Sequence, residues 1–182
     1  MTTPINGKIF DHAQLMQDEI DYMTSRIKTL GEGSSIVEWG SGGSTELWLG
    51  SLPTGAGLIS IEHNKTWYDR SSSLRDVYPT KKFSPIFVDV SSPYFEHGYG
   101  VIVEETPFNV AEYIYPTDDI YKADIYFIDG IARGACLAGI LLHGKPSAEI
   151  YIHDYRDRIM AYGWITQFKT VTMVGTTLAC IT

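Results

Sequence analysis

Five short apolar runs, separated by stretches of helical periodicity, constrain this chain more than any other feature. They cover residues 35–38, 57–62, 84–90, 123–130 and 148–154, each rich in Ile, Val, Phe or Tyr. Near-continuous apolar strands that alternate with helical segments predict a parallel sheet covered on both faces. Each run closes on or beside an acid: Glu38, Glu62, Asp89, Asp129 and Asp154. Turn formation accounts for one or two such acids. Five at the same end of parallel strands point to the crevice in which open α/β sheets bind ligands.

The first helix is predicted over residues 11–30, where Leu15, Ile20, Met23, Ile27 and Leu30 recur at three- to five-residue spacing before Gly31. Further helices are expected at 44–52, capped by Ser44 or Thr45, at 65–77 and at 132–143. Two β-rich runs, 168–174 and 176–181, are divided only by Gly175. That gap is too short for a helical crossover, so the two must pair antiparallel. The expected fold is a doubly wound α/β sheet of seven strands, mostly parallel, closing in a C-terminal antiparallel β-hairpin. With 182 residues and no repeat or linker, residues 1–182 are expected to form a single domain.

Charge narrows the partners. Lys and Arg total 14 against 22 Asp and Glu, a net charge of −8, and the basic residues do not cluster beyond Lys81-Lys82. Binding to nucleic acid or an anionic membrane, which draws on a basic surface, is therefore not expected. No run of about 18 apolar residues and no basic head before an apolar stretch is present, so a cytoplasmic location is expected. Cys136 and Cys180 lie within apolar segments and read as reduced, buried thiols.

The segment Glu38-Trp39-Gly40-Ser41-Gly42-Gly43-Ser44 leaves the first strand and enters a helix, the setting of a nucleotide-binding loop. A phosphate loop is excluded because no Gly-Lys-Ser/Thr follows. A dinucleotide loop of the G-x-G-x-x-G type needs a small residue where Thr45 stands, and Glu38 would repel a pyrophosphate. A ribose-bearing ligand with a cationic tail suits the loop better.

Val37-Glu38-Trp39-Gly40-Ser41-Gly42-Gly43-Ser44 resembles the first motif of class I S-adenosylmethionine-dependent methyltransferases, with Ser44 in place of the last glycine. The likeness extends from about Asp11 to Thr182 through Ser60-Ile61-Glu62-His63-Asn64, Val88-Asp89-Val90, Phe127-Ile128-Asp129-Gly130 and Ile152-His153-Asp154-Tyr155. It implies a Rossmann-like fold that binds S-adenosyl-L-methionine and releases S-adenosyl-L-homocysteine. The resemblance places Gly40, Ser41, Gly42, Ser44 and Thr45 around the donor and Glu38 against its ammonium. Glu62 would accept from the ribose hydroxyls, with His63 beside it, while Asp89 and Val90 flank the adenine. Glu62 also lies near the roughly 20-residue offset at which an acid meets a ribose in such folds.

Asp129, His153 and Asp154 are expected near the transferred methyl, Asp129 touching the donor as well, with His153 able to titrate near neutrality. In catechol-type members of the class an Asp after the fourth strand and an Asp-Asn pair after the fifth hold Mg²⁺. Asp129 and Asp154 match the aspartates and could hold a hydrated ion, but Tyr155 replaces the Asn, and no metal is assigned. Arg133 is expected to pair with Asp129 or to hold an acidic acceptor. Residues 91–122 carry Tyr94, Phe95, Glu96, His97, Tyr99, Phe108, Tyr113, Tyr115 and Tyr121, and read as a lid or acceptor-side insertion, an aromatic packing cluster or a homodimer interface. The expected activity is methyl transfer to an oxygen or nitrogen of a small molecule. The rivals are a non-catalytic donor-binding module and a nicotinamide-dependent oxidoreductase.

Overall fold

The computed structural model describes residues 9–11, 13–90 and 110–182. Its strands are β1 Ser35–Trp39, β2 Gly57–Glu62, β3 Lys82–Phe87, β4 Ile125–Ile128, β5 Glu149–Ile152, β6 Val171–Met173 and β7 Ala179–Ile181. They form one seven-stranded sheet in the order β3-β2-β1-β4-β5-β7-β6. The first five are parallel, and β7 is antiparallel to both β5 and β6, so β7 alone is reversed. The expected hairpin is present, with its second strand inserted between β5 and β6.

The helices are α1 Gln17–Ile27, α2 Gly43–Ser51, α3 Lys65–Ser72, α4 Leu74–Val77, α5 Val110–Ile114, α6 Arg133–His143 and α7 Ile159–Tyr162. Two 3₁₀ turns occupy Asp118–Lys122 and Gly163–Gln167. Successive strand residues feed opposite cores, as the two-residue period of a strand requires. Ile36, Ile125, Phe127 and Tyr151 pack with Met23 and Ile27 of α1 and Trp48 and Leu49 of α2. Val37, Trp39, Tyr126, Ile128, Ile150 and Ile152 pack on the other face with Tyr113, Cys136, Leu137 and Ile140. Burial on both faces explains why these strands read as unbroken apolar runs. Both cysteines are buried and free.

Several boundaries move for local reasons. The Glu19 side chain accepts from the Met16 N–H at 3.0 Å, which starts α1 at Gln17 rather than at residue 11. The 65–77 segment breaks at Ser73 into α3 and α4. There Ser71, Ser72 and Ser73 donate their hydroxyls back to the carbonyls of Tyr68, Asp69 and Arg70, a bonding pattern that bends helices. The third strand stops at Phe87, because that residue pairs with Glu62, the last residue of β2. Pro85 is tolerated within it because β3 is an edge strand.

Of the expected lid, residues 91–109 lie outside the described residues. In the remainder Tyr113, Ile120 and Tyr121 are buried against α6, with the Trp39 indole donating to the Tyr113 carbonyl at 2.9 Å, while Tyr115 is exposed.

Candidate functional site

At the strand C-termini, where the order reverses between β1 and β4, the chain opens a cavity of about 1330 Å³. Its wall includes Gly40, Ser41, Gly42, Gly43 and Ser44 of the loop, Glu62, His63, Asn64 and Trp67 after β2, and Asp129 to Ala135 after β4. Gly40 has φ +96°, and a Cβ there would stand 2.7 Å from the Gly130 nitrogen. The β1 and β4 turns therefore lie back to back, which only glycine permits.

Beneath this loop Glu38 is fully buried and absent from the cavity lining. Its carboxylate accepts from Ser44 Oγ at 2.5 Å, Thr45 Oγ1 at 2.7 Å and Ser60 Oγ at 2.7 Å. Ser60 spends its proton on Glu38, so the Ser41 hydroxyl, 2.7 Å away, donates to Ser60. Burial pushes the Glu38 carboxyl up to about 7 against the pull of those three hydroxyls. Glu38 was expected to meet a ligand ammonium directly or through water; in the structure it stands behind the cavity wall and braces the loop from below. Thr45 is likewise buried and outside the lining. It accepts from the Gly42 N–H at 2.8 Å, and α2 is capped at Gly42 rather than at Ser44 or Thr45.

Glu62 does reach the cavity. Its Oε2 accepts from the Ser41 N–H at 2.7 Å, and its Oε1 from the N–H groups of His63 and Asn64 at 2.8 and 2.7 Å. A carboxylate offers about four lone-pair sites, so Oε2 retains acceptor capacity toward the cavity. His63 Nδ1 lies 3.0 Å from Glu62 Oε1. Trp67 stacks on Phe10 with centroids 5.8 Å apart, and the Arg70 guanidinium sits over both rings.

The acids after β4 and β5 form a second cluster. Asp129 lines the cavity, whereas His153 and Asp154 do not. His153 Nδ1 meets Asp129 Oδ1 at 2.9 Å, and its Nε2 faces the buried Glu19 at 3.5 Å. His153 follows Ile152, so strand parity turns its ring to the α1 face of the sheet. Burial pulls this imidazole down, but the hydrogen bond and charge of Asp129, with Asp154 and Glu19, outweigh it and hold the pKa above its ordinary value. Glu19 stays low despite burial because Thr177 and Met16 backbone N–H groups and the Thr177 hydroxyl donate to it. Of the three residues expected near the transferred methyl, Asp129 faces the cavity, whereas His153 and Asp154 lie behind it. Arg133 pairs with both aspartates, at 3.2 Å from Asp129 Oδ1 and 3.1 Å from Asp154 Oδ2.

Asp89 and Val90 are placed elsewhere. Asp89 is exposed on a separate groove with Ile86, Phe87, Val88, Glu112, Tyr115 and Pro116. Val90 is buried in the core. Both were expected beside the glycine loop's ligand, but β3 ends at Phe87 and they run past its pairing with β2. Sequence reasoning missed Phe10, Asp11, Gln14, Arg70, Arg158 and Tyr162 on the cavity wall. No local pattern marks them, because the first turn region and the segment after β5 meet only in three dimensions.

Among the described residues no helix is long and apolar enough to cross a membrane. No family model matches the chain, and no curated protein is significantly similar to it. Solved structures do match. A methyltransferase-like protein from Silicibacter pomeroyi superposes with a TM-score of 0.76 at 17% identity, over 96% of this chain and 89% of its own. An O-methyltransferase from Bacillus cereus, solved in complex with SAH, gives 0.63 at 14% identity over 95% and 84%. The O-methyltransferase TomG from Streptomyces achromogenes, solved with SAM, gives 0.61 at 14% identity over 92% and 81%. In strand order, reversed penultimate strand and overall superposition, this chain has the class I S-adenosylmethionine-dependent methyltransferase-like fold.

Proposed function

We propose that the chain is an S-adenosylmethionine-dependent methyltransferase acting on a small molecule. The observation that carries this reading is how the glycine loop uses its amides. The Ser41 N–H is bound to Glu62 and the Gly42 N–H to Thr45, so two donors a phosphate would seek are spent and a carboxylate lies beside them. A pyrophosphate is unwelcome there, which disfavours a nicotinamide dinucleotide. A ribose and a cationic tail suit it.

The remaining capacity of Glu62 Oε2 serves a ribose hydroxyl, flanked by His63 and Trp67. With Glu38 buried, the ammonium falls to Asp129, which adjoins Gly40 across the paired glycines. The cavity exceeds the roughly 300–1,000 Å³ usual for one small ligand, which leaves space for an acceptor toward Arg158, Ala161 and Tyr162. S-adenosylmethionine, when bound, supplies a methyl on a good leaving group. The chain's task is then alignment and exclusion of water, effects worth about 7–11 kcal/mol. His153 and Asp154 act through Asp129 and Arg133 as positioning residues.

Isothermal titration tests the reading: one S-adenosylhomocysteine should bind per chain and NADH should not. Glu62→Ala is expected to weaken binding by about 1–3 kcal/mol. Unchanged affinity in that variant removes the ribose assignment. No heat with S-adenosylmethionine or its demethylated product refutes the function. Formation of S-adenosylhomocysteine over a panel of phenols and amines separates an enzyme from a non-catalytic binder.

A further inference from the structure

We propose that the Arg133 guanidinium stands where a divalent cation would stand among Asp129, His153 and Asp154, so that this acidic site is neutralised by the chain itself and holds no metal. These three residues each offer one ligand atom within 4.8 Å of the others. Two carboxylates and an imidazole that close are a plausible cation cage by donor set alone. The two carboxylates are already bridged by Arg133. Arg133, 8% exposed, donates from its NH1 group to Asp154 Oδ2 at 3.1 Å and to the His153 carbonyl at 2.7 Å, and its Nε donates to the Gly130 carbonyl at 2.9 Å. Its NH2 group lies 3.2 Å from Asp129 Oδ1. The His153 nitrogen nearest the cluster is engaged with Asp129. Mg²⁺ requires near-octahedral oxygens at about 2.0–2.1 Å, and these carboxylates cannot close on an ion while they hold a guanidinium.

Two further observations show that the chain is built around this arginine. Arg133 is the first residue of α6, the positive end of an 11-residue helix, where a cation has the wrong sign. Only the paired carboxylates make a buried cation tolerable there. Among the described residues the non-glycine positions with positive φ are Ala132, at 50° and next to Arg133, and Asp154, at 57° and within the cluster itself. Strained backbone of this kind persists where its surroundings over-determine it. Here the surroundings are the planar fork of Arg133, which ties the turns after β4 and β5 to α6. A point-like metal would bind and dissociate with its supply; a covalently attached guanidinium keeps Asp129 in one place at all times.

The test is Mn²⁺ binding to the full chain, followed by electron paramagnetic resonance. The wild type is expected to leave added Mn²⁺ in solution. Arg133→Ala, with folding checked by circular dichroism, should bind one ion per chain at least roughly tenfold more tightly than the wild type. Arg133→Gln, which keeps hydrogen-bonding atoms without the charge, serves if the alanine variant does not fold. Stoichiometric Mn²⁺ binding by the wild type that is lost in Asp129→Asn would overturn the proposal. So would a folded Arg133 variant with no gain in Mn²⁺ binding. Neither readout involves S-adenosylmethionine, so failure of the methyltransferase reading and failure of this one are separable.

Discussion

A methyl group on Gly130 would stand 2.0 Å from the Tyr113 hydroxyl, closer than any real contact. Gly130→Ala is therefore expected to lower stability by about 1–3 kcal/mol through overpacking. Tyr113→Phe removes the clashing oxygen, and a double-mutant cycle in urea should show the two changes coupled by about 1 kcal/mol or more. Simple additivity would contradict the contact. At this scale the sequence was partly legible. Gly40, Ser41, Gly42, Ser44, Glu62 and Asp129 share one cavity wall, and a glycine loop between strand and helix leaves few conformations for its part of that wall. Glu38 was misplaced because its role depends on Ser60, which is 22 residues away and carries no marker of its own. The two roles of Arg133 were half legible: the spacing from Asp129 was visible, but the bond to Asp154 needs the parallel pairing of β4 and β5.

Between elements, Glu19 is the principal tie. It sits fully buried on α1 and accepts from the Thr177 N–H at 2.6 Å, the Thr177 hydroxyl at 2.9 Å and the Leu178 N–H at 2.9 Å, joining the first helix to the turn before β7. Glu19→Ala strands those donors and His153 together, and a loss of about 3–5 kcal/mol is expected in urea unfolding. Glu19→Gln keeps one oxygen for Thr177 and Leu178 and should cost less. Equal losses in the two variants would deny the hydrogen-bonding role. The strands were legible because burial on both faces writes itself as an apolar run. The helix ends were not, since Glu19 and Ser71 to Ser73 set them through side-chain bonds that periodicity does not register. Strand parity was also available: Asp129 and His153, each one residue beyond a strand, fall on the α1 side of the sheet.

For the whole molecule the buried acid Glu38 makes stability depend on pH. Its carboxyl titrates near 7 in the folded chain and near 4.5 when unfolded. Between those values the folded state keeps a proton the unfolded state has lost, so stability falls as pH rises, by roughly 3 kcal/mol over the interval. His153, raised in the folded state, adds stability that is complete below 6.5 and lost as pH climbs through its folded value. Glu19, Glu149 and Asp124 are lowered, so their contribution disappears only on further acidification, below about 4. Urea midpoints should therefore peak near pH 5, and Glu38→Gln should flatten the slope from 4.5 to 7. A wild-type midpoint that rises across that interval would refute the assignment.

The bonds from Glu19 to residues 177 and 178 cross 158 and 159 positions of chain. During synthesis α1 leaves the ribosome well before Thr177, so in that interval Glu19 has its local bond to the Met16 N–H but not its bonds to residues 177 and 178. Closure of this contact therefore waits on all of the chain in between, and the earlier segment passes that interval with a buried-type carboxylate still hydrated.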